Sequence, residues 1–232
     1  VGFPRRPPGA LSGTMGEGSE KEEARHGSRR AGLWPVQLRF ECSLTGVEYV
    51  SQEAWRDASL PRCPLHPKGG CGFARHGTYE RVSPPGTLVA RWYCPAGHRT
   101  FSLLPDCLAA RLSVTLAEVE AVVRAVEQAP GLEAACGQLR LDIELPGAQR
   151  WVRRRVQAVH ASLHLLRGLL PERFAHCPTS VTAFARHLGA GEVLGALRDI
   201  AAAFLQRLPP PLGFFPRHPP GGGRGRARQH RV

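Results

Sequence analysis

The sequence predicts an α+β fold in two parts, a small β domain and then an all-α bundle, between termini expected to be disordered. Three observations predict it. Soft metal-ligand residues gather in two clusters within residues 63–107. Two short runs of strand character, 73–82 and 88–93, lie between those clusters. Beyond residue 108 the apolar residues recur at helical spacing, with no alternating strand pattern.

Cys63, His66 and Cys71 make the first cluster, and Cys94 and His98 the second. The turn Ser83-Pro84-Pro85-Gly86 joins the two strand-like runs. Two ligand knuckles linked by a hairpin are the layout of a zinc ribbon, because Zn²⁺ favours four tetrahedral N/S ligands. Cys63-Pro64 and Cys94-Pro95 each open a turn at a cysteine, and the glycine of Cys71-Gly72 allows the positive φ of a tight turn. The expected ligands are Cys63, Cys71, Cys94 and His98, with His66 an outer partner or alternate ligand. Cys63-x-x-His66 is the shorter and more usual loop, so that choice is open. The competing reading is free buried cysteines and surface histidines. A catalytic zinc would keep an open position beside a carboxylate base. The nearest acids, Glu80 and Asp106, stand at no recognisable spacing, so a closed structural site is expected.

Residues 63–105 carry Cys71-Gly72, Arg75-His76-Gly77-Thr78-Tyr79 and Cys94 followed by His98-Arg99-Thr100-Phe101-Ser102. This run resembles the zinc ribbon at the front of many bacterial insertion-sequence transposases. Those read C-P-x-C-G, a short H-G, then C-x-x-C with a basic residue and T-F. The chain departs in an expanded first knuckle and in histidine replacing the last cysteine. The resemblance implies a DNA-recognition module.

Composition bounds the rest. The chain has 232 residues, a formal charge of +12 and a pI of about 10.4. Arginine supplies nearly all the positive charge, lysine occurring only at Lys21 and Lys68. That balance favours a polyanion partner, which the resemblance implies to be double-stranded DNA. No apolar run approaches the ~18 residues that span a bilayer, and no signal peptide is visible, so no membrane association is expected. Seven cysteines, an odd number with several at ligand spacing, argue for a reducing compartment, which the resemblance implies to be a bacterial cytoplasm. The first residue is valine and the only methionine is Met15, which leaves the start at either.

Along the chain, residues 1–32 read as a disordered segment of Pro, Gly, Arg and acidic residues. Residues 33–108 form the zinc ribbon with an N-terminal cap. The cap begins with an alternating strand at 36–40 and offers a single helical turn at 51–55. Residues 109–208 form the helical domain. Thr115-x-x-Glu118 is a capping box, and Leu116, Val119, Val122, Val123 and Val126 follow at helical spacing. Pro130-Gly131 stops that helix, and 132–140 form a shorter one.

The helix expected over 146–170 is the second informative element. Val152, Val156, Val159, Leu163, Leu166 and Leu170 fall on one stripe, and no acid occurs between Pro146 and Leu170. Gln149, Arg150, Arg153, Arg154 and Arg155 stand off the stripe in the first turns. A short helix, a tight link and an arginine-bearing helix make a helix-turn-helix over 132–170. Arg150-Trp151-Val152-Arg153-Arg154 resembles the R-W start of transposase recognition helices. Gln149, Arg150, Arg153, Arg154 and Arg155 are the candidate DNA contacts, and Trp151 belongs with the seam. The bland alternative is a solvated face of an ordinary bundle helix. Two further helices are expected at 179–188 and 191–208. Pro209-Pro210-Pro211 closes the ordered part, and 209–232 reads as a disordered basic tail.

The expected function is DNA binding without catalytic chemistry, next to a separate transposase or recombinase. A nuclease-type transposase needs three acids gathered on a mixed sheet around two metals, and no strand run after residue 108 carries them. The competing classes are a zinc-stapled protein-interaction module and a non-catalytic subunit of a nucleic-acid enzyme.

Overall fold

The computed structural model describes residues 36–140, 142 and 144–215, all within the compact unit Gly32–Val232. Expectations for residues 1–35, 141, 143 and 216–232 lie outside the described residues. The α+β class is as predicted. A four-stranded sheet has the order β1-β4-β3-β2, with β1 at Val36–Phe40, β2 at Ala74–Glu80, β3 at Leu88–Cys94 and β4 at Arg99–Pro105. β2, β3 and β4 run antiparallel in succession, and β1 adds to β4 in parallel, with Leu38 opposite Leu103.

The hairpin expected between the ligand clusters is β2–β3. β4 was not expected, for a physical reason. Residues 101–105 are all buried, so the strand reads as Phe-Ser-Leu-Leu-Pro without polar alternation. On one sheet face Ala90 and Leu103 pack with Ala58, Leu38 and Trp92. On the other face Val89 and Leu104 enter the main helical core.

The cap starts earlier than the single turn expected at 51–55. α1 spans Gly46–Ser51 because Thr45 and Glu48 form a full capping box, and a 3₁₀ turn follows at Ala54–Arg56. Tyr49 is fully buried; its hydroxyl donates to the Leu88 carbonyl at 2.9 Å and its ring meets Trp55 edge-on at 5.9 Å. These contacts fix the cap to the sheet.

The helices are α2 (Leu116–Gln128), α3 (Leu132–Leu139), α4 (Leu145–Leu169), α5 (Pro171–Phe174), α6 (Val181–Leu188) and α7 (Val193–Ile200), then a 3₁₀ turn at Ala202–Phe204. The Thr115/Glu118 capping box opens α2 as expected. The α4 stripe is buried at Val152, Val159, Leu163 and Leu166. The last three join Phe174, Val181, Phe184 and Leu197 in the main core, so the seam is spent within the chain.

Glu127 near the end of α2 caps the start of α6. Its carboxylate accepts from the Val181 and Thr182 amides at 2.8 Å each and from the Thr182 hydroxyl at 2.7 Å. Burial pushes its pKa up, but these hydrogen bonds outweigh it and hold the carboxyl below its usual range. The depressed value means that the cap stabilises above the unfolded-state pKa and is lost as pH falls through the folded one. Glu127→Gln is expected to cost about 1–2 kcal/mol at pH 7, as other lost caps do. The check is thermal melting of both proteins at pH 7 and in acid, where the gap should narrow.

The C-terminal boundary needs correction. Residues 209–215, expected to begin the tail, are built into the fold: Leu212 and Phe214 are buried in the main core. Arg198 of α7 explains why. It is completely buried, and its guanidinium donates to the carbonyls of Leu108 (2.7 Å), Pro211 (2.8 Å), Asp106 (2.9 Å), Leu212 (3.0 Å) and Pro105 (3.4 Å). One side chain thereby fastens the end of β4 to the closing segment. Burial lowers its pKa to about 10, which leaves it charged at neutral pH.

Candidate functional site

Two loops bring the thiol donors together. The first runs from Cys63 to Cys71 ahead of β2, and the second leaves the end of β3 at Cys94. The donor atoms of Cys63, His66, Cys71 and Cys94 all lie within 4.8 Å of one another, and the three cysteines are buried. His66 Nδ1 is 3.6 Å from Cys63 Sγ and 3.4 Å from Cys94 Sγ. A tetrahedral ion with thiolate bonds of ~2.3 Å and an imidazole bond of ~2.0 Å spaces such donors by roughly 3.5–3.8 Å, close to the two His66–sulfur distances, so the four residues could hold one ion.

Local chemistry shapes the pocket. The His66 amide donates to the Cys63 carbonyl at 3.2 Å, closing the Cys-x-x-His turn. The Gly97 amide donates to Cys94 Sγ at 3.3 Å. A Cβ at Gly97 would stand 2.6 Å from Leu65 Cδ1 and 3.6 Å from His66 Cε1, so glycine lets the second loop close on the first. Burial raises the Cys63 thiol, but hydrogen bonding to His66 and to the Leu65 and His66 backbone brings it down to about 7. Cys94 is pushed up by burial and by its cysteine neighbours, though the Gly97 amide opposes the shift. A cation that binds a dense thiol set of this kind displaces its protons into water.

Of the five residues read from the sequence, His66 takes the place given to His98. His98 is exposed at the end of the Pro95 turn with φ of 46°, and its Nδ1 lies 3.4 Å from the Tyr93 hydroxyl, outside the donor group. Among the described residues no other group of three or more Cys, His, Asp or Glu donors is close enough to share an ion.

The arginine-bearing end of α4 belongs to a second, smaller core. Cys136 of α3 and Ala148 and Val152 of α4 are buried together, with Val126, Leu132, Leu139 and Trp151 against them. α2, α3 and α4 therefore contact one another around one apolar centre. Arg150, Arg153 and Arg154 are exposed, Gln149 is half-buried, and none of the three arginines forms an ion pair among the described residues. Arg155 differs from its expected role. Its guanidinium lies 3.7 Å over the Trp151 ring, and it donates to the Trp151 carbonyl at 3.3 Å. Burial and the nearby Arg140 charge lower its pKa. Arg140 covers Trp151 too, at 4.8 Å. Two guanidinium groups therefore lie against the indole ring, and Arg155 is engaged with it more closely.

No helix among the described residues is long and apolar enough to cross a membrane. Comparison with protein-family models, with curated proteins and with solved structures finds no match.

Proposed function

We propose that this chain is a DNA-binding protein whose Cys63, His66, Cys71 and Cys94 hold a structural zinc ion and whose α4 grips a duplex. Three thiolates and one imidazole are a donor set that suits zinc. The ion ties two loops of the sheet together and supplies no chemistry to a substrate. The α3–α4 pair acts as a helix-turn-helix, as in the DNA-recognition front end of an insertion-sequence transposase. Catalysis, where needed, comes from a separate transposase or recombinase.

One observation carries this reading. α4 has no acid after Pro146, buries one stripe, and on its other side presents Arg150, Arg153 and Arg154 without a carboxylate partner among the described residues. Exposed guanidinium groups without carboxylate partners can take the phosphate oxygens of a duplex backbone.

The test is a gel-shift titration with duplex DNA at several salt concentrations. Affinity is expected to fall steeply with salt, and Arg150→Ala with Arg153→Ala to weaken binding about 10–100-fold and to flatten the salt slope. The melting temperature should stay within about 2 °C of the parent, as for exposed surface substitutions. No duplex affinity at low salt overturns the reading in favour of a protein-docking module. Unfolding of the variant makes the arginines structural.

A further inference from the structure

A groove of about 1020 Å³ opens where the start of α1, the 83–86 turn, the start of α2 and α7 meet. Its lining has the opposite sign to the chain as a whole. Glu41, Asp106, Glu118, Glu120, Glu192 and Asp199 line it, against the single cation Arg39. Arg39 is already committed: it forks onto Asp106 with two bonds of 2.8 Å and also reaches Asp199. Glu120 is held by Arg124 and the Leu194 amide. The carboxylates of Glu41 and Glu192 form no hydrogen bond or ion pair among the described residues, and both residues are exposed. Between the acids the floor is apolar, with Leu44, Pro84, Pro85 and Leu116, and Val47 is 71% exposed beside them. A groove with an apolar floor and unpaired acids fits an extended cationic peptide.

The chain supplies such a peptide. Residues 216–232 contain Arg217, Arg224, Arg226, Arg228 and Arg231, prolines at 216, 219 and 220, and no acid. They continue from Phe215 and leave from α7's neighbourhood: the closing segment just before them is bound to Arg198, next to the groove residue Asp199. An extended run of that length spans up to ~55 Å, several times the length of α7, so reach is no obstacle.

We infer that the groove between α1, α2 and α7 is the docking site of this chain's own arginine-rich segment, residues 216–232. The segment's arginines meet Glu41, Glu192 and Asp199, and its prolines and aliphatic stems lie on the apolar floor. Docking withholds from a polyanion the charges most available to it. The groove and a nucleic acid then compete for one segment, and an added polyanion should draw it out. The inference does not depend on the α4 interface.

The test uses the full chain with Arg224→Lys and Arg226→Lys, which places amines in a segment that has none. A carbodiimide activates carboxylates, and an amide forms only where a lysine is in contact. Mass spectrometry is expected to locate the cross-links at Glu41, Glu192 or Asp199, at least five-fold enriched over exposed acids elsewhere such as Glu53 and Glu133. The enrichment should vanish in about 0.5 M salt, where the Debye length falls to a few ångströms. Adding Glu41→Gln and Glu192→Gln should cut the Asp199 cross-link at least three-fold, since neither carboxylate has a structural bond to lose. Uniform labelling of all exposed acids overturns the inference. Cross-links that form mainly between isotopically distinct copies overturn it too, by assigning the groove to a second chain. A failed gel shift leaves this result untouched, so the two readings fail separately.

Discussion

Arg198→Ala is expected to cost about 4–5 kcal/mol, a third or more of the roughly 5–15 kcal/mol that holds an ordinary domain folded. The substitution removes the donor for five carbonyls at once, those of Pro105, Asp106, Leu108, Pro211 and Leu212. Pro105 and Pro211 keep the Leu108 and Ala110 amides, whereas the Asp106, Leu108 and Leu212 carbonyls lose their partner, and each buried acceptor so orphaned costs about 1–3 kcal/mol, less whatever water recovers. A cavity beside Phe214, whose ring lies 5.6 Å from the guanidinium, adds to the loss. Arg198→Met separates the two causes, since it keeps most of the volume and none of the donors. It should remain more than about 2 kcal/mol below the parent. Arg198→Lys should rescue only part, because one ammonium cannot present the planar fork. Urea titration followed by circular dichroism measures all three. A parent-like midpoint for Arg198→Met would show that packing, and not hydrogen bonding, holds the closing segment.

Metal removal is the second large effect. Freshly purified protein should contain one equivalent of zinc, and excess chelator should release it with loss of order in the sheet. Structural zinc in finger peptides contributes an apparent ~10–16 kcal/mol near neutral pH, more than most domains have to spare. Around this site the apolar support is thin: Phe101 is the one fully apolar side chain buried with the three cysteines, assisted by half-buried Val36, Leu38, Leu60, Phe73 and Trp92. Cys94→Ser should behave like the stripped protein. His66→Ala should lower zinc content and affinity, while His98→Ala keeps the full equivalent. Elemental analysis and amide hydrogen exchange across β2 and β3 check these outcomes. The reverse pattern for the two histidines would return the ligand role to His98.

The parts of the molecule that were legible in the sequence are those governed by neighbours along the chain. Thr115 and Glu118 are three residues apart and cap α2 by themselves. The α4 stripe repeats every three to four residues, and its burial follows from that spacing alone. The metal cluster was legible in kind, since cysteines opening Pro turns announce knuckles. Its histidine member was not, because His66 and His98 differ only in the path each loop takes, and Gly97 lets the second loop close on Leu65 and His66. β4 was hidden by burial on both faces. Arg198 was hidden for a different reason: its acceptors lie 13 or more residues away, so its burial cannot be read from the α7 pattern. The acid-lined groove is likewise assembled from five separate stretches, none unusual alone.

The parallel pairing of β1 with β4 sets Val36 opposite Phe101, with the whole Cys/His cluster between them in the chain. Closing so long a loop is entropically slow, and a chain searching for that register is delayed. An ion joining Cys63 to Cys94 short-circuits roughly half of the intervening residues and eases the closure by about 0.6 kcal/mol. Refolding with zinc present from the outset should therefore run faster than refolding followed by zinc addition, with the first strand zipping on last.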